Sequence, residues 1–436
     1  MSRASLRIAS AAALFAAAAA AVPAAAQDFA IANATVATGD GSAPLERATV
    51  VVRAGKVAAA GQGVTVPEGM TVLDGTGTWV TPGLFMPLTQ LGLWDVEAVD
   101  QSNDITADKS RFGAAIDVAP AINYASQHIA VTRGGGITRA TIRPGAGKSI
   151  FAGQGAVIDL GADPQPIVRA KAFQYVVLGE TGAEIAGGSR TAAFLEFEEA
   201  LREASDFAAG RWDPEAAHLT RADAEALGAV LSGRQKLYVR VERAADIRAV
   251  IALRQRYAKL DLVIVGASEG WLAADALAAS GIPVIADPLD NLPSTFEQLG
   301  ATQSNVGRMV AAGVKVALGS FAGGTDGHPR SAAQFAGNLV ALQKVPRASG
   351  LSWGQALAAI TSVPAEISGY GGQFGVLKPG AMGDLVVWDG DPLEAGSAPL
   401  RVFVEGVQQP LDNHQTRLRE RYRNLDQSDL PKAYDW

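Results

Sequence analysis

The sequence of 436 residues contains no cysteine. Disulfides, thiolate metal sites and a thiol nucleophile are therefore excluded. Histidine is scarce: the chain has four, His128, His218, His328 and His414. No Gly-x-Ser-x-Gly elbow occurs, which removes the serine nucleophile that motif presents. Basic residues number 37 against 44 acidic ones, for a formal net charge of −7. Such a balance suits neither nucleic acid nor an anionic membrane surface. The apolar run from Ile8 to Val22 is Ala-rich and too short for a membrane span.

What is present is enough for a large core, built as one big domain or two, with 48% hydrophobic and 19% charged residues. The start reads as an export signal. Arg3 and Arg7 give a basic n-region, the Ile8–Val22 run follows, and Ala24-Ala25-Ala26 offers a small-residue cleavage site. Cleavage after Ala26 would leave Gln27 as the mature N-terminus and, without the two arginines, a net charge of −9 (−7 − 2). The expected location is the periplasm or the cell exterior, without a lipid anchor since no cysteine is available to carry one.

Residues 28–81 alternate β-branched runs with turns, and Gly55 in RAGKV suits a hairpin residue of positive φ. LKPGAMGDLVVWDGDPLE (377–394) and LRVFVEGVQQ (400–409) have the same strand character near the other end. Between them strands and helices alternate. QKLYVRVERAADIRAVIALRQRYAKLDLVIVGAS (235–268) reads strand, amphipathic helix, strand, and SGIPVIADP and GVKVALGS are further short apolar strands. Repeated βα units over about 300 residues argue an α/β fold, either a (β/α)8 barrel or a doubly wound sheet. The charged tail 411–436 is expected to form a short helix or to lie on the surface.

Pro82 to Gln90, PGLFMPLTQ, resembles the opening of the catalytic barrel in the amidohydrolase superfamily, near its imidazolonepropionase-like branch. That motif reads PGxxDxHxH, and its two histidines bind metal. KPGAMGDLVVWD is similar to that superfamily's KPGxxxDLVVWD signature. The resemblance covers Asp28 to about Gln409. It implies a (β/α)8 barrel over 82–376 beside a small composite β-sandwich made from 27–81 and 377–410. It also implies hydrolysis of non-peptide C–N bonds by zinc or iron, held by imidazoles, carboxylates and often a carbamylated lysine.

This chain departs from the family at each ligand position. Met86 stands at the aspartate of the first motif, and Leu88 and Gln90 stand at its histidines. Tyr175 replaces the lysine ahead of LGE in FQYVVLGETG. Arg240 and Glu242 in LYVRVERAADI occupy the histidines of VHAHRADDI. Gly266 in LVIVGASEGW takes the histidine of LVIEHGTEAY, and Phe321 in VALGSFAGG the aspartate of ALGTDxxxG. Leucine and glycine offer no lone pair, and an arginine repels a dication by about 4 kcal/mol at 4 Å and an effective dielectric of 20. The expectation is therefore no metal cofactor.

Other residues could carry function. Arg240 and Glu242, two apart on a strand, face one side. They are the first place to look for a ligand or a replacement ion pair, and Arg240 is expected to pair with a carboxylate on a neighbouring strand. His328 and Asp326 in GGTDGHPRS could form a general base. GAGKS (145–149) resembles the end of a phosphate-binding loop, but Ile142 stands where that motif needs glycine and a strand follows instead of a helix. The bland reading is an inserted loop near the barrel mouth; the alternative is that Lys148 at its tip meets an anionic ligand. Asp95, Asp100 and Asp104 could build a displaced metal site. Expected ligand-binding residues are Gln90, Lys148, Glu180, Arg240, Glu242 and Glu269.

Two readings result. One is a degenerate homologue that binds a small molecule or pairs with itself or with an active amidohydrolase. The other is a C–N hydrolase working without the usual metal.

Overall fold

The computed structural model describes residues 26–96, 99–319 and 329–423. Five strands come first: β1 (Phe29–Val36), β2 (Leu45–Arg53), β3 (Lys56–Gly61), β4 (Thr71–Asp74) and β5 (Trp79–Pro82). Eight build the barrel: β6 (Leu84–Thr89), β7 (Ile137–Ile142), β8 (Phe151–Asp159), β9 (Ile167–Val177), β10 (Lys236–Val241), β11 (Leu262–Gly266), β12 (Val284–Ala286) and β13 (Val316–Leu318). Three return to the first sheet: β14 (Leu385–Trp388), β15 (Pro399–Val404) and β16 (Val407–Gln408).

The two chain ends do form one body. Its sheet runs β16-β15-β14-β5-β1-β2-β3, with β4 also on β1. Antiparallel pairing of β14 with β5, from Leu385↔Pro82 to Trp388↔Trp79, joins the halves. The expected composite β-domain is built as this mixed sheet, and the segment before β14 bridges back to β3 at Lys56↔Met382. Phe29 stacks on Phe403 at 4.5 Å, and Gly383 N donates to Gly55 O at 2.7 Å. Gly55 has φ +76, and a Cβ there would lie 2.7 Å from Glu405 O, so the contact needs glycine.

The barrel sheet runs β6 through β13 in chain order. Neighbours are parallel except at β8, which is antiparallel to both β7 and β9. This corrects the expected loop insertion: FAGQGAVID is barrel wall, not an appendage at the mouth. Closure is indirect. Leu318 N donates to Ala359 O and Phe85 N to Ile360 O, both at 2.9 Å, so two residues of a later connection fill the seam between β13 and β6.

Alternation along the strands separates two cores. Phe173, Tyr175 and Val177 of β9, Tyr238 of β10 and Val263 and Val265 of β11 pack in the barrel interior. Their neighbours Val176, Val239, Val241 and Ile264 face outward into the layer of helices. Period-two side-chain direction puts apolar residues of β10 and β11 on both faces, as a sheet covered by helices requires. The helices used below are α1 (Gln127–Gly134), α2 (Gly179–Ile185), α3 (Arg190–Ala208), α4 (Arg221–Leu231) and α5 (Ala244–Arg256).

At the barrel's lower end Arg139, 1% exposed, ties the two bodies together. Its Nε donates to Asp384 Oδ2 at 2.7 Å and its Nη2 to Glu405 Oε1 at 2.9 Å, and the guanidinium lies over the Phe374 ring at 4.3 Å.

Candidate functional site at the barrel mouth

The C-terminal ends of β9 to β12 enclose a cavity of about 330 Å³. This is the end at which (β/α) barrels carry chemistry, because several strands deliver side chains to one point. Its lining is acidic: Glu180, Glu184, Glu242, Asp287, Asp290 and Glu297 contribute, with Arg240 as the cation.

Strand alternation brings Tyr175, Arg240 and Glu242 to the inner side. Arg240 Nε lies 3.4 Å from Glu242 Oε1. Arg240 thus meets the carboxylate just beyond its own strand, the ion pair that their shared face allowed. The reason is reach: residues i and i+2 share a face and stack along it. Burial works against the Arg240 charge, but Tyr175 and Glu242 beside it outweigh that and raise its pKa.

Glu242, 4% exposed, is held by Ser268, whose N donates to Oε2 at 3.1 Å and whose Oγ lies 2.9 Å from the same oxygen. Ser268 Oγ is also 2.9 Å from Asp290 Oδ2 and accepts from Gln298 Nε2 at 3.0 Å. One hydroxyl proton cannot serve both carboxylates at once. Burial pushes the Glu242 carboxyl up to about 7, against the opposing pull of Arg240 and Ser268. Asp290 is raised too, by burial and by Asp287. A carboxyl that titrates near neutrality can give or take a proton there.

Gly266 makes room for this arrangement. It has φ +90, and a Cβ built on it would lie 2.5 Å from Glu242 Cδ and overlap an oxygen of that carboxylate. Glu242 therefore fills the space that a side chain from position 266 would need.

A second tier surrounds the mouth. Arg190, at the start of α3, contacts Asp246 at 3.0 Å, Glu297 at 3.2 Å and Glu180 at 3.6 Å. Burial raises Glu297 in spite of Arg190. Glu180 lines the mouth. Glu269 does not: its Oε2 accepts from Ala244 N at 3.0 Å, at the start of α5, and its Oε1 from Gly300 N at 2.9 Å. Leu88 is buried in the barrel interior with φ +56, its N donating to Thr141 Oγ1 at 2.6 Å. Gln90 is buried at the end of β6 and is not part of the mouth lining. Asp95 accepts from Asn123 Nδ2 at 3.1 Å on an exposed loop. Lys148 lines a different cavity. Phe321, Asp326 and His328 lie outside the described residues.

Sequence reasoning missed Ser268, Asp290, Glu297 and Arg190. Asp290 had a usable signal, since DPLDNLP directly follows β12 at the chemical end of the barrel. Arg190 had none, because it reaches the site from a helix.

A model of the amidohydrolase family matches residues 182–408, just over half of the chain. The chain belongs to the amidohydrolase family. An amidohydrolase from Thermotoga maritima MSB8 superposes with a TM-score of 0.76 at 23% identity, covering 87% of this chain and 99% of that one. An adenosine deaminase from Xanthomonas campestris with bound zinc gives 0.52 at 16% identity, with coverage of 92% and 98%. At these identities the likeness is one of fold. Amidohydrolase tasK of Hapsidospora irregularis is 45% identical over 60 residues, which span 14% of this chain and 6% of that protein.

Proposed function

We propose that this member of the amidohydrolase family has given up the family metal centre and uses its barrel mouth to bind a ligand or a partner subunit. The carrying observation is the Glu242 carboxylate, paired to Arg240 and filling the space in front of Gly266. Zinc or iron needs neutral imidazoles or carboxylates converging at about 2.0–2.2 Å. The positions that would supply them hold buried Leu88, a cation at Arg240 and the bare backbone of Gly266, so the residues present do not fit such an ion. Among the described residues, the one group of three His or acidic side chains with ligand atoms within 4.8 Å of one another is Glu199, Glu203 and His218, which lines the other cavity.

Pairing with a partner is supported by the segment 289–300 that borders the mouth. Leu292 is 78% exposed, Phe296 84% and Leu299 66%, a run of apolar side chains that association would cover. Export follows from the Arg3/Arg7 and Ala24–Ala26 pattern, and mass spectrometry of the secreted protein should then find Gln27 first.

The test is elemental analysis of the purified protein after dialysis without chelator. Well under a tenth of an equivalent, roughly, of zinc, iron or manganese is expected, since a structural or catalytic site retains its metal through dialysis. A full equivalent would overturn the proposal.

One observation favours the second reading, metal-independent C–N hydrolysis. Glu242, raised to about 7, has the acidity of a general acid or base at neutral pH. Turnover of an amide or aminohydrolase substrate by metal-free protein, lost in Glu242→Gln, would establish it.

A further inference from the structure

A second cavity, larger than the barrel mouth, lies apart from it. It measures about 720 Å³ and lies between the segment 107–116, the tip of the β7–β8 hairpin and the face of α3, with α4 at one edge. It shares no lining residue with the mouth. Pockets of about 300–1,000 Å³ are the size that encloses a small organic molecule.

Its wall is mainly apolar, from Phe112, Ile116, Phe151, Ala152, Leu195 and Leu219. Leu195 is 68% exposed although it projects from the second turn of α3. Two cations complete the lining, Arg111 and Lys148. Neither makes an ion pair among the described residues. Arg111 lies over the Phe112 ring at 4.8 Å. Lys148 sits on a hairpin tip that is pinned rather than loose. Gly145 N donates to Ile105 O at 2.8 Å, and a Cβ on Gly147 would lie 3.1 Å from Asp108 Oδ1.

The acidic groups on the far wall are mostly committed elsewhere. Glu203 accepts from His218 N at 2.9 Å and from Leu219 N at 2.8 Å. Asp223 accepts from Gly113 N at 3.0 Å, Ala115 N at 2.8 Å and Thr220 Oγ1 at 2.6 Å. Glu199 pairs with Arg202. Glu196 remains, its carboxyl pKa raised by burial against the lowering pull of the nearby His218. The committed carboxylates keep their charge, but their lone pairs are largely taken up by those partners, which leaves Lys148 and Arg111 as the charged donors facing a ligand from the other wall.

We infer that this cavity is a second binding site, for a small amphipathic anion. Its apolar body lies against Phe112, Phe151 and Leu195, and its carboxylate, sulfate or phosphate head meets Lys148 and Arg111. The inference stands apart from the fate of the barrel mouth, because the two cavities are separately lined.

Three probes with one tail and different heads test it on the full chain: decanoate, decylamine and decanol, titrated calorimetrically. Decanoate is expected to bind at least about tenfold more tightly than decylamine, a difference of about 1.4 kcal/mol. The double variant K148E/R111E, confined to accessible side chains, should cut decanoate affinity by a similar factor without moving the melting temperature. Narrowing the cavity with Ala192→Trp should weaken decanoate and decanol alike. Decylamine binding as tightly as decanoate would overturn the inference, and so would decanoate affinity indifferent to K148E/R111E. Loss of decanoate binding in Glu242→Gln would assign the ligand to the mouth and overturn it as well.

Discussion

The Glu242 carboxylate and the Cα of Gly266 are mutually dependent: the carboxylate sits where any Cβ at position 266 would have to be. A side chain just beyond β10 has thereby closed off the space that the neighbouring strand would use to reach the barrel axis. Two residues that look like separate departures from a family pattern are one packing solution.

Gly266→Ala should be destabilising by about 2–4 kcal/mol, combining a left-handed backbone cost of about 1–2 kcal/mol with overpacking. Adding Glu242→Ala should return the packing part and leave the backbone part. Thermal melting of the two variants reads this directly. A single variant no less stable than the double one would show that Glu242 moves aside freely, and one that melts with the parent protein would refute both contributions.

The raised Glu242 carboxyl has a definite pH signature. Its folded pKa, about 7, lies above its unfolded value, so between the two the folded state binds more protons and stability falls as pH rises. The contribution is fully present below the unfolded pKa and gone above the folded one. Asp159, pushed up to about 6 by burial, adds a slope of the same sign. Glu242→Gln should flatten the decline between about pH 5 and 8; unfolding curves across that range whose slopes match those of the parent would exclude it.

Arg139 carries the junction between barrel and composite sheet. Arg139→Met would leave Asp384, 2% exposed, as a buried charge without its partner, a loss of about 3–5 kcal/mol. Arg139→Met with Asp384→Leu should recover much of that, since a well-packed apolar pair can replace a buried ion pair. Differential scanning calorimetry would separate these outcomes, and a double variant no better than the single would count against the buried-charge explanation.

Glu269 is expected to matter for folding and not for any ligand of the mouth. Both of its carboxylate oxygens hold backbone N–H groups, at Ala244 and Gly300. Hydrogen bonds to a charged acceptor are worth about 1.5–3 kcal/mol each, so Glu269→Ala should lower the melting temperature clearly. Hydrogen exchange should rise at the start of α5 and around Gly300. Exchange unchanged at both places would refute the role.

Much of the fold was legible in the chain. Strands β1–β5 and β14–β16 announce themselves by alternation and turn glycines, and the βα repeats over 235–318 by their period. The hairpin strand β8 was visible as a strand but not as barrel wall, because antiparallel entry into a parallel sheet leaves no mark on local periodicity. Residues at the mouth were legible where a strand delivers them, as with Arg240 and Glu242. They were not where a helix or loop does so, as with Arg190 and Ser268.

Sequence alone determined which chemical groups the strands bring to the barrel axis, because side-chain direction along a strand has period two and needs no tertiary information. It also determined that cysteine chemistry is impossible here. Only the tertiary structure decided how those groups resolve their charges: that Glu242 turns to Arg240, that Glu269 turns away to a helix start, and that Lys148 belongs to another cavity. Those outcomes depend on which backbone N–H groups and cations lie within about 3–4 Å, and such distances are set by packing between segments far apart in the chain.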